Sequence, residues 1–303
     1  MKISVVIATY NKLPRLKLTL LTLLHQTFPK ENFEVIIIDD GSNDGTGEYL
    51  KQNNFSLNYK YARFSNSGRS AARNRGIKLS NHDIILFIDD DVLLPPDFIE
   101  KHGKLQEAEN RVVHGRIINL TYLKFFQDPT KGILYPQFSK MDKGISQLQT
   151  KCISERDIVE NFEKIKNNNK KINNLEHVIE TIFKLNKRDV FWLAFTGGNV
   201  SVPKEWVLKA GMFDTGFGLN WGSEDLELGY KLCKLGYKFF YSYEAVNYHM
   251  AHYRHSFSTD HEYTSQYFRS KYKDINIYYL QEFIAGRINS HEFIMLVTNN
   301  DRA

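Results

Sequence analysis

Short, continuous apolar runs alternate with helical periodicity along the first hundred residues. Such runs predict buried strands at residues 3–8, 35–38 and 84–88, and residues 59–64 predict a further strand. Between the first two strands leucines recur at helical spacing, namely Leu13, Leu16, Leu20, Leu23 and Leu24. Another helix is predicted over residues 68–79. Strands that are apolar throughout and separated by helices indicate a parallel sheet covered on both faces.

The second half of the chain has a different pattern. Residues 120–190 are rich in lysine, asparagine and aromatic residues and predict a helical insertion. Strand-like alternation returns at residues 197–202, a helix is predicted from Glu224 to about Lys234, and a strand follows around residues 238–243. After this strand the chain becomes helical and aromatic.

These patterns divide the chain into one α/β domain, residues 1–255, and a helical C-terminal extension, residues 256–303. Within the domain we expect a first half at residues 1–118, a helical insertion at residues 119–195 and a second half at residues 196–255. Ligands of such sheets bind beyond the carboxyl ends of the strands. Polar residues follow three of the predicted strands, so the candidate chemistry is expected at that edge.

Composition narrows the class of protein and its location. The 303 residues are 42% hydrophobic and 25% charged, as in a soluble globular protein, and the formal net charge of +5 does not indicate a nucleic-acid partner. No apolar stretch approaches the ~20 residues that span a bilayer, and the first strand begins too close to Met1 for a signal peptide. Cys152 and Cys233 lack metal-binding spacing and are expected to be free thiols. We therefore expect a cytoplasmic protein.

Three consecutive carboxylates, Asp89, Asp90 and Asp91, follow the strand at residues 84–88. They repel one another, and a bound cation would relieve the repulsion. Because alternate residues of a strand share a face, we expect Asp89 and Asp91 to point together and Asp90 to point away. Oxygen ligands favour Mg²⁺ or Mn²⁺. The alternative is a solvated acidic turn that caps the next helix.

Two further signatures fit a nucleotide. Asp40 follows the second strand, and its carboxylate would accept the imide N–H of a uracil, although an Asp-Asp-Gly-Ser run also suits a simple turn. Arg69 and Arg73 lie one helical turn apart and would reach the phosphates or the base. Their alternative role is that of a solvated helix face.

A second acidic pair, Glu224 and Asp225, follows Trp221 at a predicted helix start. Either carboxylate would serve as a base for an attacking hydroxyl, and the indole offers an aromatic face to a sugar. Acidic residues are also favoured at helix N-termini on electrostatic grounds alone. Among the ten histidines, His249 is preferred over His252 as a nitrogen ligand, which would favour Mn²⁺ over Mg²⁺.

Several motifs of other enzyme classes are missing from the sequence. It has no Gly-x-Gly-x-x-Gly after the first strand, no Gly-Lys-Ser/Thr loop and no Gly-x-Ser-x-Gly. Over about residues 1–255 the chain instead resembles the family 2 glycosyltransferases of the GT-A fold. The motifs that carry this resemblance lie at residues 5–11, 38–42, 68–74 and 87–91. The segment from Gly197 to Asp225 resembles the C-terminal half of galactosyl- and N-acetylgalactosaminyltransferase-like members.

The resemblance implies a Rossmann-like, mixed sheet flanked by helices, with the nucleotide-sugar site in residues 1–118. Together with the residue-level reasoning it gives a donor site that comprises Ala8, Thr9, Tyr10, Asp40, Arg69, Arg73, Asp89, Asp90 and Trp221. It further implies a metal held by Asp89, Asp91 and His249, and a general base at Asp225 with Glu224 beside it. Ala8 replaces the proline of many members, which should be harmless, and an aspartate rather than an asparagine at position 225 favours inversion.

The expected activity is that of a metal-dependent, inverting glycosyltransferase that moves a hexose or N-acetylhexosamine from a UDP-sugar to an acceptor hydroxyl. Its setting would be bacterial polysaccharide or glycoconjugate biosynthesis. Two alternatives are a nucleotidyltransferase that makes a sugar nucleotide and a nucleotide- or sugar-binding module that has lost catalysis. The acceptor would be a carbohydrate or a lipid-linked molecule. The C-terminal helices would then contact the inner face of the cell membrane or form a homodimer.

Overall fold

The computed structural model describes residues 1–138, 152–167, 170–253 and 257–299. The strands of its main sheet are β1 (Ile3–Thr9), β2 (Phe33–Asp39), β3 (Tyr59–Arg63), β4 (Ile84–Asp89), β5 (Val92–Leu93), β6 (Val112–Asn119), β9 (Asn199–Pro203) and β10 (Phe239–His249). A separate ribbon pairs β7 (Phe126–Asp128) with β8 (Ile133–Leu134). The order of the main sheet is β3-β2-β1-β4-β9-β6-β10-β5.

Helices flank the main sheet and recur through the described parts of the second half of the chain. In the first half they are α1 (Leu13–Leu24), α2 (Thr46–Gln52), α3 (Arg69–Leu79) and α4 (Phe98–Ala108). The insertion holds α5 (Glu155–Val159), α6 (Phe162–Lys166) and α7 (Asn174–Lys184), and the second half holds α8 (Lys204–Lys209) and α9 (Glu224–Lys234). The C-terminal extension forms α10 (Phe257–Lys271), α11 (Ile275–Ile284) and α12 (Ser290–Asn299).

The first four long strands form the parallel sheet that the sequence predicts. β1 pairs in parallel with β2 and β4, and β2 pairs in parallel with β3. Val5 belongs to the core cluster that contains Leu16 of α1, whereas its neighbour Val6 belongs to the cluster that contains Ala72 of α3. Because successive side chains of a strand point to opposite faces, helices on both sides require these strands to be apolar on both faces, and the buried Ser4 donates a hydrogen bond to the buried Glu34.

The second half of the sheet is mixed in direction. β9 runs antiparallel to both β4 and β6, while β10 is parallel to β6 and antiparallel to β5. β10 extends beyond the predicted end at residue 243, through an irregularity between Ser242 and Asn247, to His249. His249 was expected to follow a strand, but it forms the last residue of one.

The insertion contains the predicted helices and also elements that the sequence did not indicate. Within its described residues the β7–β8 ribbon and a 3-10 helix at Thr121–Phe125 precede α5. Helix α7 packs against the C-terminal extension and the turn at Arg188–Ala194. Residues 139–151 of the insertion lie outside the described residues.

The C-terminal extension is part of the protein core. Phe268, Ile277 and Phe293 on its three helices are almost fully buried, and they share one hydrophobic cluster with Trp192 and with Leu226 of α9. Among the described residues no helix combines the length and the apolar character needed to cross a membrane. The extension therefore supports the helix that carries the second acidic pair.

Candidate active site

A cleft of about 920 Å³ opens at the carboxyl ends of β1, β2 and β4. Of the predicted donor-site residues, those that line it are Ala8, Thr9, Tyr10, Asp40, Arg69, Asp89, Asp90 and Trp221. The ninth, Arg73, lies directly behind the wall and contacts Asp89. The parallel register brings these strand ends together, since it pairs Ala8 with Asp89 and Thr9 with Asp39. The predicted convergence of polar residues at this edge is therefore seen in the structure.

The three consecutive carboxylates have three different sets of neighbours. The strand ends at Asp89, whose carboxylate is 3.2 Å from the Nη2 atom of Arg73. Asp90 accepts a hydrogen bond of 2.7 Å from the Thr9 hydroxyl, and Asp91 turns towards β10. The expectation that Asp89 and Asp91 share a face is wrong, because Asp90 and Asp91 lie beyond the end of β4, where strand alternation no longer applies.

Asp91 is grouped with two histidines. The ligand atoms of Asp91, His249 and His252 all lie within 4.8 Å of one another, and Asp89 does not belong to this group. Asp91 is 1% exposed, with Oδ1 at 3.4 Å from His249 Nε2 and Oδ2 at 3.1 Å from His252 Nε2. The sequence reasoning thus grouped Asp91 with His249 and passed over His252.

A cation already faces this group. The ammonium of Lys12 donates a hydrogen bond of 2.7 Å to Asp91 Oδ2 and lies 2.7 Å from His252 Nε2. Burial would raise the pKa of Asp91, but Lys12 and the two histidines outweigh it and hold the pKa well below the usual range. Burial raises the pKa of the neighbouring Asp90 to about 6, against the effect of the same lysine.

These residues fit a divalent metal ion. One carboxylate and two imidazoles form a mixed oxygen and nitrogen donor set, which suits Mn²⁺ and other first-row metals. Asp91 Oδ1 is buried, and among the described residues it has the long 3.4 Å contact with His249 Nε2 but no well-formed hydrogen bond. A buried carboxylate oxygen without a donor is costly unless a cation completes its surroundings. His249 Nδ1 lies 2.7 Å from Asn119 Oδ1, a contact that fixes its ring.

Asp40, the proposed uracil partner, also organises the cleft wall. Its two carboxylate oxygens accept hydrogen bonds from the backbone N–H groups of Ser67 and Gly68, at 2.9 and 2.8 Å. Burial raises its pKa, although these two N–H groups and Arg75 act in the opposite direction. Gly68 has a φ of 92°, and an added Cβ would lie 1.9 Å from the carbonyl oxygen of Gly218. No side chain fits there.

Arg73 joins the two acidic signatures. Its side chain is 3% exposed, with Nη1 at 2.9 Å from Glu224 Oε1 and Nη2 at 3.2 Å from Asp89 Oδ1. Arg69 adds a longer contact of 3.6 Å to the same Glu224 oxygen, and the Gly222 N–H donates to the other oxygen at 3.1 Å. Both carboxylate oxygens of Glu224 therefore have partners. Through Arg73 the two acidic signatures, which lie far apart in the sequence, are brought together.

Asp225 differs from its neighbour Glu224. It is partly buried, and its Oδ1 atom accepts the backbone N–H of Leu226 at 2.8 Å. Burial and the adjacent Glu224 charge raise its pKa well above the ordinary value, although Arg73 and Arg69 act to lower it. A carboxylate of raised pKa is a stronger proton acceptor, which is what a general base needs.

Part of the cleft wall is built by residues that the sequence did not single out. Gln127 and Tyr135 of the insertion, Tyr253, and Asp260 of α10 line it together with Trp221. The Trp221 ring packs edge-on against His261 of α10 at 4.6 Å between ring centroids. The C-terminal extension therefore contributes to the cleft wall. Amphipathic periodicity carries no signal for such a role, because only the packing of the extension reveals it.

The family of the chain follows from comparison with known proteins. The model of the glycosyl transferase family 2 matches residues 4–192. The chain belongs to this family. Its curated relatives include the glycosyltransferase YfnE of Bacillus subtilis, at 32% identity over 83% of this chain and 65% of the relative. Chondroitin synthase of Escherichia coli is 29% identical over 82% of this chain and 34% of the relative. The chain thus spans less than two thirds of each of these proteins.

Solved structures support the GT-A fold. S. aureus TarS 1–349 in complex with UDP-GlcNAc has a TM-score of 0.54 at 17% identity. The match covers 88% of this chain and 66% of the TarS chain. A mannosyltransferase from Pyrobaculum calidifontis, in complex with GDP-Man and Mn²⁺, has a TM-score of 0.56 at 14% identity. That match covers 98% of this chain and 68% of the mannosyltransferase chain. At these identities the likeness confirms the predicted fold alone.

Proposed function

We propose that the chain is a metal-dependent, inverting glycosyltransferase that transfers a hexose or an N-acetylhexosamine from a UDP-sugar to an acceptor hydroxyl. The observation that carries this proposal is the buried Arg73 network, which links Asp89 at the donor end of the cleft to Glu224 beside Asp225. Family membership supports the reaction class. The binding of UDP-GlcNAc by TarS, a protein of similar fold, supports a UDP-linked donor.

The donor would bind across the strand ends of the first half. Tyr10 is 47% exposed at the cleft and would stack on the base, while Asp40 would accept the imide N–H of uracil. Arg69, which is 30% exposed, would face the diphosphate. Asp89, assigned from the sequence to the metal, is proposed instead to orient the donor through its pair with Arg73.

Asp91, His249 and His252 would hold the metal, Mn²⁺ or Mg²⁺, and the nitrogen ligands favour Mn²⁺. When bound, the ion would neutralise negative charge on the departing nucleoside diphosphate. Thr9 fixes the Asp90 carboxylate beside this group through its hydroxyl. The polypeptide thus supplies the ligands and their orientation before any donor arrives.

Asp225 would take the proton from the acceptor hydroxyl as that oxygen attacks the anomeric carbon. Its raised pKa suits this role, and Glu224 would position the acceptor or the donor sugar through the arginine network. Attack from the face opposite the departing diphosphate inverts the anomeric carbon in one displacement. Glu224 is the poorer proton acceptor of the two, because its carboxylate is already paired with Arg69 and Arg73.

The acceptor would contact Tyr135, Tyr253 and Asp260 of the cleft wall. Trp221, assigned from the sequence to the donor site, is proposed to face the acceptor as well. Aromatic faces and a carboxylate suit a hydroxyl-rich carbohydrate, free or lipid-linked. The relationship to chondroitin synthase supports a role in polysaccharide or glycoconjugate biosynthesis. We also keep the sequence-based proposal that the segment from Gly197 to Asp225 is of the galactosyl- or N-acetylgalactosaminyltransferase type.

A peripheral membrane contact or a dimer contact would use the apolar residues that the C-terminal helices expose. Tyr263 and Ile275 are each about half exposed. Replacing both with serine should weaken sedimentation with anionic liposomes or shift the oligomeric mass in light scattering. If both measurements are unchanged, the contact proposal has to be abandoned.

The test is release of UDP from a panel of UDP-sugars, with and without Mn²⁺, by the wild type and by Asp91→Ala. We expect metal-dependent turnover of one donor that is lost in the variant. Asp97→Ala is the matched control, because the half-exposed Asp97 pairs with Lys101 outside the residues that line the cleft and should leave turnover unchanged. Failure with every UDP-sugar, followed by failure with GDP- and dTDP-linked sugars, would refute the proposed function.

A further inference from the structure

The Lys12 ammonium occupies the space between two of the proposed metal ligands. It lies 2.7 Å from both Asp91 Oδ2 and His252 Nε2, and those two atoms are 3.1 Å apart. Both Asp91 and His252 are largely buried, and the lysine side chain is 19% exposed. An ion bridging the same two atoms would need the lone pairs that now face the ammonium, at about 2.1 Å for a metal such as Mg²⁺.

An ammonium and a divalent ion cannot share this position. Two like charges a few ångströms apart repel strongly at a site that excludes most water. We propose that Lys12 is a resident cation that compensates Asp91 in the metal-free protein, and that a divalent ion binds only by displacing its ammonium group. The inference rests on the metal site of the proposed function and adds to it a residue that sets the affinity of that site.

The displaced ammonium has a defined region to move into. The backbone around Lys12 is fixed, because its carbonyl accepts the N–H groups of Arg15 and Leu16, and the Leu13 N–H is bound by Asp44. Lys12 itself lines the cleft beside Tyr10. Its flexible four-carbon stem can therefore redirect the charge into the cleft. The chemistry that would attract it there is a nucleoside diphosphate.

This exchange makes metal and nucleotide binding cooperative. A diphosphate that takes up the Lys12 ammonium leaves Asp91 and His252 to the metal, and a metal at Asp91 releases Lys12 to the diphosphate. Each ligand then raises the affinity for the other by the same factor. Without Lys12 the metal should bind more tightly alone and gain less from added UDP.

The test is direct titration with Mn²⁺, followed by the EPR signal of the free ion, on wild type, Lys12→Met and Lys17→Met. Lys17 is the matched control, since it lies on α1, the helix that Lys12 immediately precedes, with its ammonium 4.5 Å from the Tyr49 ring. We expect Lys12→Met to bind Mn²⁺ at least 10-fold more tightly than wild type, and Lys17→Met to bind it equally. Added UDP should tighten Mn²⁺ binding more in wild type than in Lys12→Met. Equal or weaker binding by Lys12→Met, or no binding by any of the three, overturns the inference.

A measurement on the wild type covers the case in which the variant fails to fold. The rate of acetylation of each lysine by acetic anhydride is followed by mass spectrometry, with and without Mn²⁺. Displacement should raise the Lys12 rate several-fold while the Lys17 rate stays constant. A Lys12 rate that Mn²⁺ does not change overturns the inference. Neither readout uses sugar transfer, so a failure of the proposed function would be seen separately in the UDP-release assay.

Discussion

Arg73 joins the two acidic groups of the active site, and its removal should cost a large part of the protein's stability. The Arg73→Met substitution keeps much of the side-chain volume but removes the charge that pairs with Glu224, a residue that is 2% exposed. Removing one partner of a buried ion pair costs about 3–5 kcal/mol, since the other charge is left without compensation. Arg69 at 3.6 Å and the Gly222 N–H still face Glu224, so we expect a loss near 3 kcal/mol.

A loss of that size is measurable against a total stability of about 5–15 kcal/mol. The assay is urea unfolding of wild type, Arg73→Met, Glu224→Gln and the double variant. Because Glu224→Gln removes the uncompensated charge, the double variant should be more stable than the sum of the single losses predicts, by about 1 kcal/mol or more.

The matched control is Lys164→Met, which breaks the more exposed ion pair with Asp157 and should cost at most about 1 kcal/mol. A loss below about 1 kcal/mol for Arg73→Met would refute the reasoning. Strict additivity in the double variant would show that Arg73 and Glu224 do not depend on one another.

Three further predictions concern groups with defined surroundings. Asp225→Asn should reduce turnover at least about 100-fold, yet raise the urea midpoint at pH 8. The folded state raises the pKa of Asp225, so the ionised carboxylate destabilises the protein above that pKa. The stability that Asp225→Asn gains should therefore shrink as the pH falls, and a lower urea midpoint of the variant at pH 8 would contradict the prediction. Burial lowers the pKa of His102 from 6.5 to about 4. The neutral ring therefore contributes to the free energy of unfolding above pH 6.5, and this contribution should fall by about 3 kcal/mol between pH 6.5 and 4. In urea unfolding His102→Gln should lack this loss, and equal pH profiles for the variant and the wild type would contradict the prediction. Arg15 contacts the carbonyl oxygens of Met250 and Ala251, directly before His252, so Arg15→Met should weaken Mn²⁺ binding in the EPR titration. Arg15→Lys should weaken it less, and unchanged Mn²⁺ affinity in both variants would contradict a positioning role.

The first half of the fold was predictable because its signal is local. A strand buried on both faces has to be apolar at nearly every position, and the runs Val5–Ala8 and Val35–Ile38 within β1 and β2 satisfy this requirement. The mixed direction of the second half had no such signal. β9 pairs between β4 and β6 although it begins 80 residues after β6 ends. A short apolar run does not indicate whether its neighbours in the sheet will be parallel or antiparallel to it.

The candidate site was predictable where it depends on strand ends. The rule that ligands bind at the carboxyl ends of parallel strands brought Thr9, Asp40 and Asp89 to one edge, and the cleft lies there. The side-chain directions of Asp90 and Asp91 were not predictable, because the end of β4 has to be known to a single residue. The sequence analysis chose His249 over His252, whereas both rings lie beside Asp91. β10 ends at His249, and the chain beyond it brings His252 towards Asp91.

Arg15 shows most clearly what a sequence pattern does not contain. The helical leucine pattern assigns no role to Arg15, which is 2% exposed. Its guanidinium donates to the carbonyl oxygens of Phe126 at 2.6 Å and Gln127 at 3.1 Å, and contacts those of Met250 and Ala251 at 3.4 and 3.5 Å. Five donors on a planar group suit several carbonyls at once. One residue of the first helix thereby fixes the segment before His252 and the insertion that lines the cleft, and the chain order gives no sign that these parts meet.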